Sequence, residues 1–135
     1  MKWERDFELG IGAIDRQHEQ VFEHLLAIEN AMVKRDPWHI VRFHLGQLRD
    51  YMKLHFAVEE ALFEIIRYPW RAEHEAEHAR LMERISALED QLQKHAPNDA
   101  LVDFFERWFV DHVMSSDRKY AAYAAREFPA LYQKA

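Results

Sequence analysis

The sequence predicts an all-α fold, an up-down-up-down antiparallel four-helix bundle with a short N-terminal loop and a C-terminal extension. Along four segments, apolar residues recur at alternating spacings of three and four, which is typical of helices that pack nearly parallel. Four prolines, Pro37, Pro69, Pro97 and Pro129, divide these segments at nearly even intervals. Short connections between long helices make neighbouring helices run antiparallel.

Length and composition favour one globular domain. A chain of 135 residues can bury a core as a single unit, so we expect residues 1–135 to form one domain.

The formal net charge of −6 argues against a nucleic-acid partner, because such proteins carry a basic face. No apolar run reaches the ~18 residues of a membrane span, and the stretch MKWERDFELG lacks the apolar core of a secretory signal. The chain has no cysteine, hence no thiolate metal site. We expect a cytoplasmic protein without membrane insertion.

The first two helices begin at capping signals. Asp15, after the loop that contains Gly10 and Gly12, is expected to cap the first helix. In Asp36-Pro37, the aspartate is expected to cap the second helix and the proline to occupy its first position.

Proline signals also separate the later helices. Tyr68-Pro69 predicts the end of the second helix and lets Trp70 open the third. Pro97-Asn98 repeats this stop and restart before the fourth helix.

The apolar stripes of the four helices contain polar residues. The stripes are Ile14, His18, Val21, Leu25, Ile28 and Met32; Val41, Leu45, Leu48, Met52, His55, Glu59, Leu62 and Ile66; His74, His78, Leu81, Ile85, Leu88 and Leu92; and Leu101, Phe105, Trp108 and His112. Buried polar groups without partners are costly. These groups therefore face solvent, satisfy one another or bind something.

Six of these polar residues are predicted to meet at one level of the bundle. In an antiparallel bundle, the start of an odd-numbered helix lies beside the end of an even-numbered one. That rule brings together His18, His55, Glu59, His74, His78 and His112. Imidazoles and carboxylates gathered in a bundle core make a site that borderline transition metals prefer.

Asp117 is a seventh candidate, although its spacing from His112 departs from a regular helix. Five residues rotate a side chain about 140° away from the stripe. For both side chains to reach one metal, the helix must widen locally or stop between them. Ser115-Ser116 lies at this point, and serine prefers helix ends. The alternative is a solvated surface aspartate.

The stretch HEAEH, residues 74–78, also matches the His-Glu-x-x-His signature of zinc proteases. The glycine and third histidine of the longer signature do not follow His78, and Glu75, the would-be general base, lies off the apolar stripe. We therefore reject a peptidase. Glu75 and Glu77 are expected to face solvent, or to interact favourably with the positive end of the helix dipole at the helix N-terminus.

Five segments, in this order, resemble the hemerythrins, in particular bacterial single-domain hemerythrins. They are IDRQH (14–18), HFAVEE (55–60), YP (68–69), HEAEH (74–78) and HVMSSD with Tyr120 (112–120). The resemblance runs from about Trp3 to Tyr120. It implies a non-haem di-iron centre that binds O2 in a four-helix bundle, in a protein that is not an enzyme.

The resemblance implies a role for each of the seven candidates. His74, His78 and His112 would hold one iron, His18 and His55 the other, and Glu59 and Asp117 would bridge both. A bridging oxide or hydroxide would complete the ligand set. Two octahedral irons offer about twelve positions, and this set leaves one open for O2, on the iron with fewer histidines.

An apolar O2 pocket is also implied, because water and protons must be excluded. The residues expected to line it lie beside ligands in sequence, although aromatic residues at helical spacing usually belong to the core: Phe22, Phe56, Trp108, Phe109 and Val113. Phe63 stands where the family commonly has methionine, and Phe109 where leucine is common. Both add bulk that could slow or gate ligand entry.

Two interpretations of function stay open. The first is reversible O2 binding for carriage, storage or sensing, with a possible protein partner that receives O2 or reads its binding. The alternative is a di-iron enzyme, or an iron, peroxide or nitric-oxide handling protein of ferritin-like character. Ferritin-like sites use four glutamates with two Glu-x-x-His motifs, and only Glu75-x-x-His78 fits here. The other histidines, His24, His39, His44 and His95, are expected outside the cluster.

Overall fold

A computed structural model describes residues 3–131 of the chain. Its α-helices, numbered in chain order, are α1 (Gly12–Val33), α2 (Trp38–Ile65), α3 (Arg71–Gln91), α4 (Asp99–Asp111) and α5 (Arg118–Glu127). A π-helical turn (His112–Asp117) joins α4 to α5 without a break, and 3-10 turns cover Arg5–Phe7 and Pro129–Leu131. No strand occurs within this part of the chain, and the predicted all-α class is confirmed.

The helices form a four-helix bundle, because α4, the π-helical turn and α5 act as one continuous fourth helix. α1 packs against α2 and α4, and α2 packs against α3. Short loops join consecutive helices, so that neighbours run antiparallel as predicted. α5 ends this fourth helix and lies beside the end of α2, where the Tyr123 hydroxyl donates a 3.1 Å hydrogen bond to the Ile66 carbonyl.

The start of α2 differs by one residue from the prediction. Pro37, and not Asp36, precedes the first helical residue Trp38, and no side chain caps the helix. Asp36 is instead engaged in ending α1, where its backbone N–H donates to the Ala31 carbonyl at 2.9 Å. Arg35, with a φ of 55°, makes the left-handed turn that this helix ending requires.

The predicted cap of α1 is also wrong, whereas the cap of α4 is present. Ile11 precedes α1 and caps nothing with its side chain. Asp15 lies inside the first turn, and its carboxylate accepts from the Leu9 and Gly10 backbone N–H groups at 2.7 and 3.1 Å. It therefore fixes the incoming N-terminal loop. Asn98 caps α4 by accepting from the Ala100 N–H at 3.0 Å.

The core follows the predicted stripes with small shifts at their ends. Met32, Leu62 and Trp108 are only half-buried, and neighbours such as Phe63 and Phe109 are buried instead. A straight α-helix drifts about 20° per heptad relative to a 3.5-residue repeat, which explains such shifts on long helices. Among residues 3–131, no helix combines the length and apolarity needed to traverse a bilayer.

Candidate metal centre

The seven candidate ligands all lie at one end of the bundle interior. α1 contributes His18, α2 contributes His55 and Glu59, α3 contributes His74 and His78, and the π-helical turn contributes His112 and Asp117. Every one is buried, and Glu59 and Asp117 are 0% exposed. The antiparallel arrangement thus brings together residues from distant parts of the chain.

These side chains form two groups that share one carboxylate. In each group, one ligand atom per residue lies within 4.8 Å of the others. The larger group contains Glu59, His74, His78, His112 and Asp117, and the smaller contains His18, His55 and Glu59. Atoms at these separations can surround a metal ion, because metal–nitrogen and metal–oxygen bonds are about 2 Å long.

Asp117 reaches towards both groups. Its Oδ1 lies 2.9 Å from His74 Nε2 and 3.0 Å from His112 Nε2, whereas its Oδ2 lies 3.1 Å from His18 Nε2. One oxygen therefore faces the larger group and the other faces a histidine of the smaller one. This is the arrangement that a carboxylate needs if it is to bridge two metals.

Glu59 also lies between the groups. Its Oε1 is 3.3 Å from both His55 Nε2 and His78 Nε2. Its Oε2 accepts a 2.6 Å hydrogen bond from the hydroxyl of Tyr120, which is fully buried. Burial raises the pKa of Tyr120 well above its usual value, so the phenol keeps the proton that it donates to Glu59.

The π-helical turn explains how His112 and Asp117 face the same side. A π-helix closes i→i+5 bonds and therefore widens the helix by one residue. Across such a turn, residues five apart in sequence come into line. Of the two possibilities that the sequence left open, local widening is the one observed, and the chain continues into α5.

Outward-facing nitrogens of two histidines, His55 and His78, have partners that the sequence did not reveal. His55 Nδ1 lies 2.7 Å from Gln17 Oε1, and His78 Nδ1 lies 3.0 Å from Glu60 Oε2. Such outer partners fix the orientation and tautomer of an imidazole whose other nitrogen binds a metal. Gln17 and Glu60 lie outside the apolar stripes, and each pairs with a histidine on another helix. The sequence pattern therefore does not indicate them.

Glu77 was expected to face solvent or to interact with the helix dipole, but it contacts His112. Its Oε2 lies 3.0 Å from His112 Nδ1, and its Oε1 accepts a 3.0 Å hydrogen bond from the Ser116 hydroxyl. The hydrogen bond with His112 lowers the pKa of Glu77 to about 2. Burial lowers the pKa of His112, but Asp117 and Glu77 raise it to about 10. Glu75 remains at the surface, paired with Arg71 at 3.1 Å.

Both central carboxylates are held in their ionised form. Burial raises the pKa of Asp117, but His112 and His74 lower it by more than burial raises it. The net pKa lies well below its usual value. Burial and Asp117 raise the pKa of Glu59, yet His55 more than offsets them and the net shift is downward. The centre therefore presents two negative charges to any cation that enters it.

Buried polar atoms without a hydrogen-bond partner concentrate in this cluster. Within residues 3–131 they include both ring nitrogens of His18, Nε2 of His78, Oε1 of Glu59 and both carboxylate oxygens of Asp117; Glu89 Oε1 is a further such atom elsewhere. Although Asp117 Oδ2 is close to His18 Nε2, the pair is not aligned as a hydrogen bond. Each such atom costs about 1–3 kcal/mol. Cations in the cluster would satisfy one ring nitrogen of His18 and the atoms of His78, Glu59 and Asp117, and a set of imidazoles and carboxylates without thiolate fits iron.

A small apolar cavity of about 10 Å³ adjoins both groups, because two ligands of each line it. Four of the five residues expected at the pocket line it, namely Phe56, Trp108, Phe109 and Val113, together with Val21 and Met52 and the ligands His18, His55, His112 and Asp117. Phe22 does not line this cavity. It packs edge-on against Trp3, with ring centroids 6.1 Å apart.

The two phenylalanines singled out in the sequence occupy different places. Phe109 lines the cavity and meets the His18 ring edge-on at 6.0 Å. Phe63 does not line the cavity; its ring lies 4.7 Å from the His74 ring and 5.0 Å from the Tyr120 ring. The size of the Phe109 side chain can therefore affect the entry of a ligand into the cavity. Phe63 instead packs behind the larger group.

The other histidines lie outside the two groups. His39 and His95 are exposed. His24 is half-buried, with its ring 5.3 Å from that of Tyr51, and burial lowers its pKa. His44 is half-buried as well.

The chain is similar to known proteins, as a family match and two individual relatives show. The family described as "Hemerythrin HHE cation binding domain" matches residues 9–124. The chain is 29% identical over 123 residues to a bacteriohemerythrin of Stenotrophomonas maltophilia, covering 88% of this chain and 78% of that one. It is 25% identical over 126 residues to a bacteriohemerythrin of Clostridium acetobutylicum, covering 87% and 96%.

A solved structure shows the same fold. The crystal structure of a wild-type hemerythrin superposes with a TM-score of 0.83 at 25% identity, over 90% of this chain and 95% of that one. The three relatives are named as hemerythrins and not as enzymes, which agrees with the expectation of a binding protein.

Proposed function

The chain belongs to the hemerythrin family, and from this premise we propose that it binds two iron ions and holds O2 reversibly at one of them. One observation supports the proposal above all others. Two adjoining groups of buried imidazoles and carboxylates point inward at one another, and many of their inner atoms have no hydrogen-bond partner in residues 3–131.

In this proposal, the larger group would hold one iron through His74, His78 and His112, and the smaller group would hold the other through His18 and His55. Glu59 and Asp117 would contact both. Support comes from the division of the Asp117 oxygens between the groups and from the presence of Glu59 in both.

The unequal number of histidines gives O2 a place to bind. Three histidines would hold one iron and two would hold the other, so a position left for O2 would lie on the side of His18 and His55. The apolar cavity is lined by His18 and His55 of that side, and also by His112 and Asp117 of the larger group. Iron bound here in its reduced form would supply the electrons that O2 takes up and would regain them when O2 leaves.

The protein's part in this function is to position the ligands and to keep water away. Gln17, Glu60 and Glu77 hold three imidazoles from outside through contacts of 2.7–3.0 Å. Phe56 stacks flat on the His78 ring with centroids 3.7 Å apart. Apolar side chains around the cavity disfavour the charged and hydrated species that would make O2 release irreversible.

The proposal is tested by iron analysis and by cycles of oxygenation. Anaerobically reduced protein is expected to contain two irons per chain, to gain a visible absorption band with O2 and to lose it on deoxygenation. His55→Gln is expected to lose iron. His44→Gln, the same change on the same helix but outside the cluster, serves as the matched control and should retain it.

Two outcomes would contradict the proposal in different ways. Zinc as the sole metal in protein from iron-replete cells would exclude a di-iron centre. Rapid irreversible oxidation with turnover of added reductant, peroxide or nitric oxide would support the alternative of a di-iron enzyme. Reversible cycles would support carriage, storage or sensing, in which a partner protein receives O2 or responds to its binding.

A further inference from the structure

Carboxylates contact two imidazoles of the larger group from outside the cluster. His78 Nδ1 lies 3.0 Å from Glu60 Oε2, and His112 Nδ1 lies 3.0 Å from Glu77 Oε2. A carboxylate in this position raises the basicity of the imidazole, so that the other ring nitrogen donates more electron density to a metal. The larger group therefore receives two negative charges from residues that are not themselves candidate ligands.

The histidines of the smaller group receive no such charge. His55 Nδ1 lies 2.7 Å from Oε1 of Gln17, a neutral amide. His18 Nδ1 is buried and has no hydrogen-bond partner among residues 3–131. The Gln17 amide can orient the His55 ring as a carboxylate would, but it brings no charge. The two groups thus differ in the electron-donating strength of their imidazoles and not only in the number of histidines.

The surroundings of Gln17 do not require a neutral side chain. Gln17 is half-buried and lines a groove between α1 and α2, together with the exposed residues Arg16 and Glu19. Charged side chains of both signs are thus accommodated at this groove. A glutamate in place of Gln17 would be hydrated there, so it would keep its charge. The charge of this one position can therefore be changed while the shape of the side chain is kept.

We infer that Gln17 makes the smaller group the weaker of the two metal sites and the one that favours the lower oxidation state. An imidazole with a neutral partner donates less electron density, and a more highly charged ion gains most from a strong donor. The inference rests on the proposed function only in that metal binds both groups. Within that function, O2 would bind on this side, where Gln17 would favour the reduced form that O2 binding needs.

Removal of iron from the reduced, iron-loaded protein by a calibrated chelator tests the order of affinity. The unchanged protein is expected to lose its two irons in two separate steps. Gln17→Glu should raise the affinity for the iron that leaves first by about tenfold, the lower end of the effect of such outer partners, because the position is half-buried. Gln20→Glu is the matched control. It adds the same charge at an exposed position of the same groove and should leave both steps unchanged.

A redox titration of the same proteins, followed by absorption, tests the preference for oxidation state. Gln17→Glu should favour the oxidised form of one iron about tenfold, which lowers its potential by about 59 mV. Glu60→Gln makes the reverse change at the larger group. It should weaken the iron that leaves last about tenfold and raise the potential of that iron. A role of Gln17 in orienting His55 alone predicts no shift in Gln17→Glu, because glutamate has the same shape and also accepts a hydrogen bond.

Several results would overturn the inference. Unchanged or weaker iron binding in Gln17→Glu would do so, as would an unchanged potential. Equal effects of Gln17→Glu and Gln20→Glu would show that only the total charge of the protein matters. An effect of Glu60→Gln in the same direction as that of Gln17→Glu would also refute it. Protein that holds two irons and fails these tests refutes the inference alone, whereas protein that holds no iron in either group refutes the proposed function as well.

Discussion

The contact between Glu77 and His112 leads to a quantitative prediction about iron affinity. Glu77→Gln removes a carboxylate that lies 3.0 Å from His112 Nδ1 and replaces a charged acceptor by a neutral one. Removal of such outer partners costs about 10–100-fold in metal affinity. The Glu77 side chain is 34% exposed, so water weakens the interaction and the lower end applies. We therefore expect a loss of about tenfold, or about 1.4 kcal/mol.

Competition with a calibrated iron chelator under anaerobic conditions measures this loss. Glu75→Gln is the matched control, since it makes the same substitution two residues earlier on α3, at a surface pair with Arg71. We expect iron affinity to fall clearly in Glu77→Gln and to remain unchanged in Glu75→Gln. Equal affinities in the two variants would show that Glu77 does not position His112, and that the contact contributes nothing to metal retention.

Three further predictions concern the cavity, the core and the metal. Phe109→Leu should speed autoxidation of the oxygenated protein, because a smaller side chain opens the cavity to water; an unchanged rate would count against its place at the O2 pocket. Tyr120→Phe should lower the free energy of unfolding in urea by about 1.5–3 kcal/mol, since Glu59 loses a charge-assisted hydrogen bond, and a loss below about 0.5 kcal/mol would contradict this. Removal of iron should lower the melting temperature by roughly 10–20 °C, as expected for a ligand present at about a thousand times its dissociation constant; equal melting temperatures would argue against bound metal in the native state.

Much of the architecture could be predicted from the sequence, because helix periodicity is a local property. The spacing of three and four residues along each segment marks the buried stripe, and chain order alone sets which helix ends meet in an antiparallel bundle. That was sufficient to predict that His18, His55 and His112 lie at one level. The helix starts were less well predicted, because Asp36 and Asp15 bond to a preceding segment and not to the helix that follows.

The tertiary structure decided what depends on contacts between helices. Glu60, Glu77 and Gln17 carry no signal in the sequence, because each acts on a histidine that belongs to another helix. Phe22 looked like a pocket residue from its place in the chain but packs against Trp3 instead.

The chain by itself determined the inventory and the level of the candidate metal centre: which imidazoles and carboxylates exist, and that helix pairing gathers them. Only the folded molecule decided how they face one another. The π-helical turn aligns Asp117 with His112, and the two Asp117 oxygens divide between the groups. The physical reason is that a stripe is fixed by backbone geometry within one helix, whereas orientation depends on packing among several.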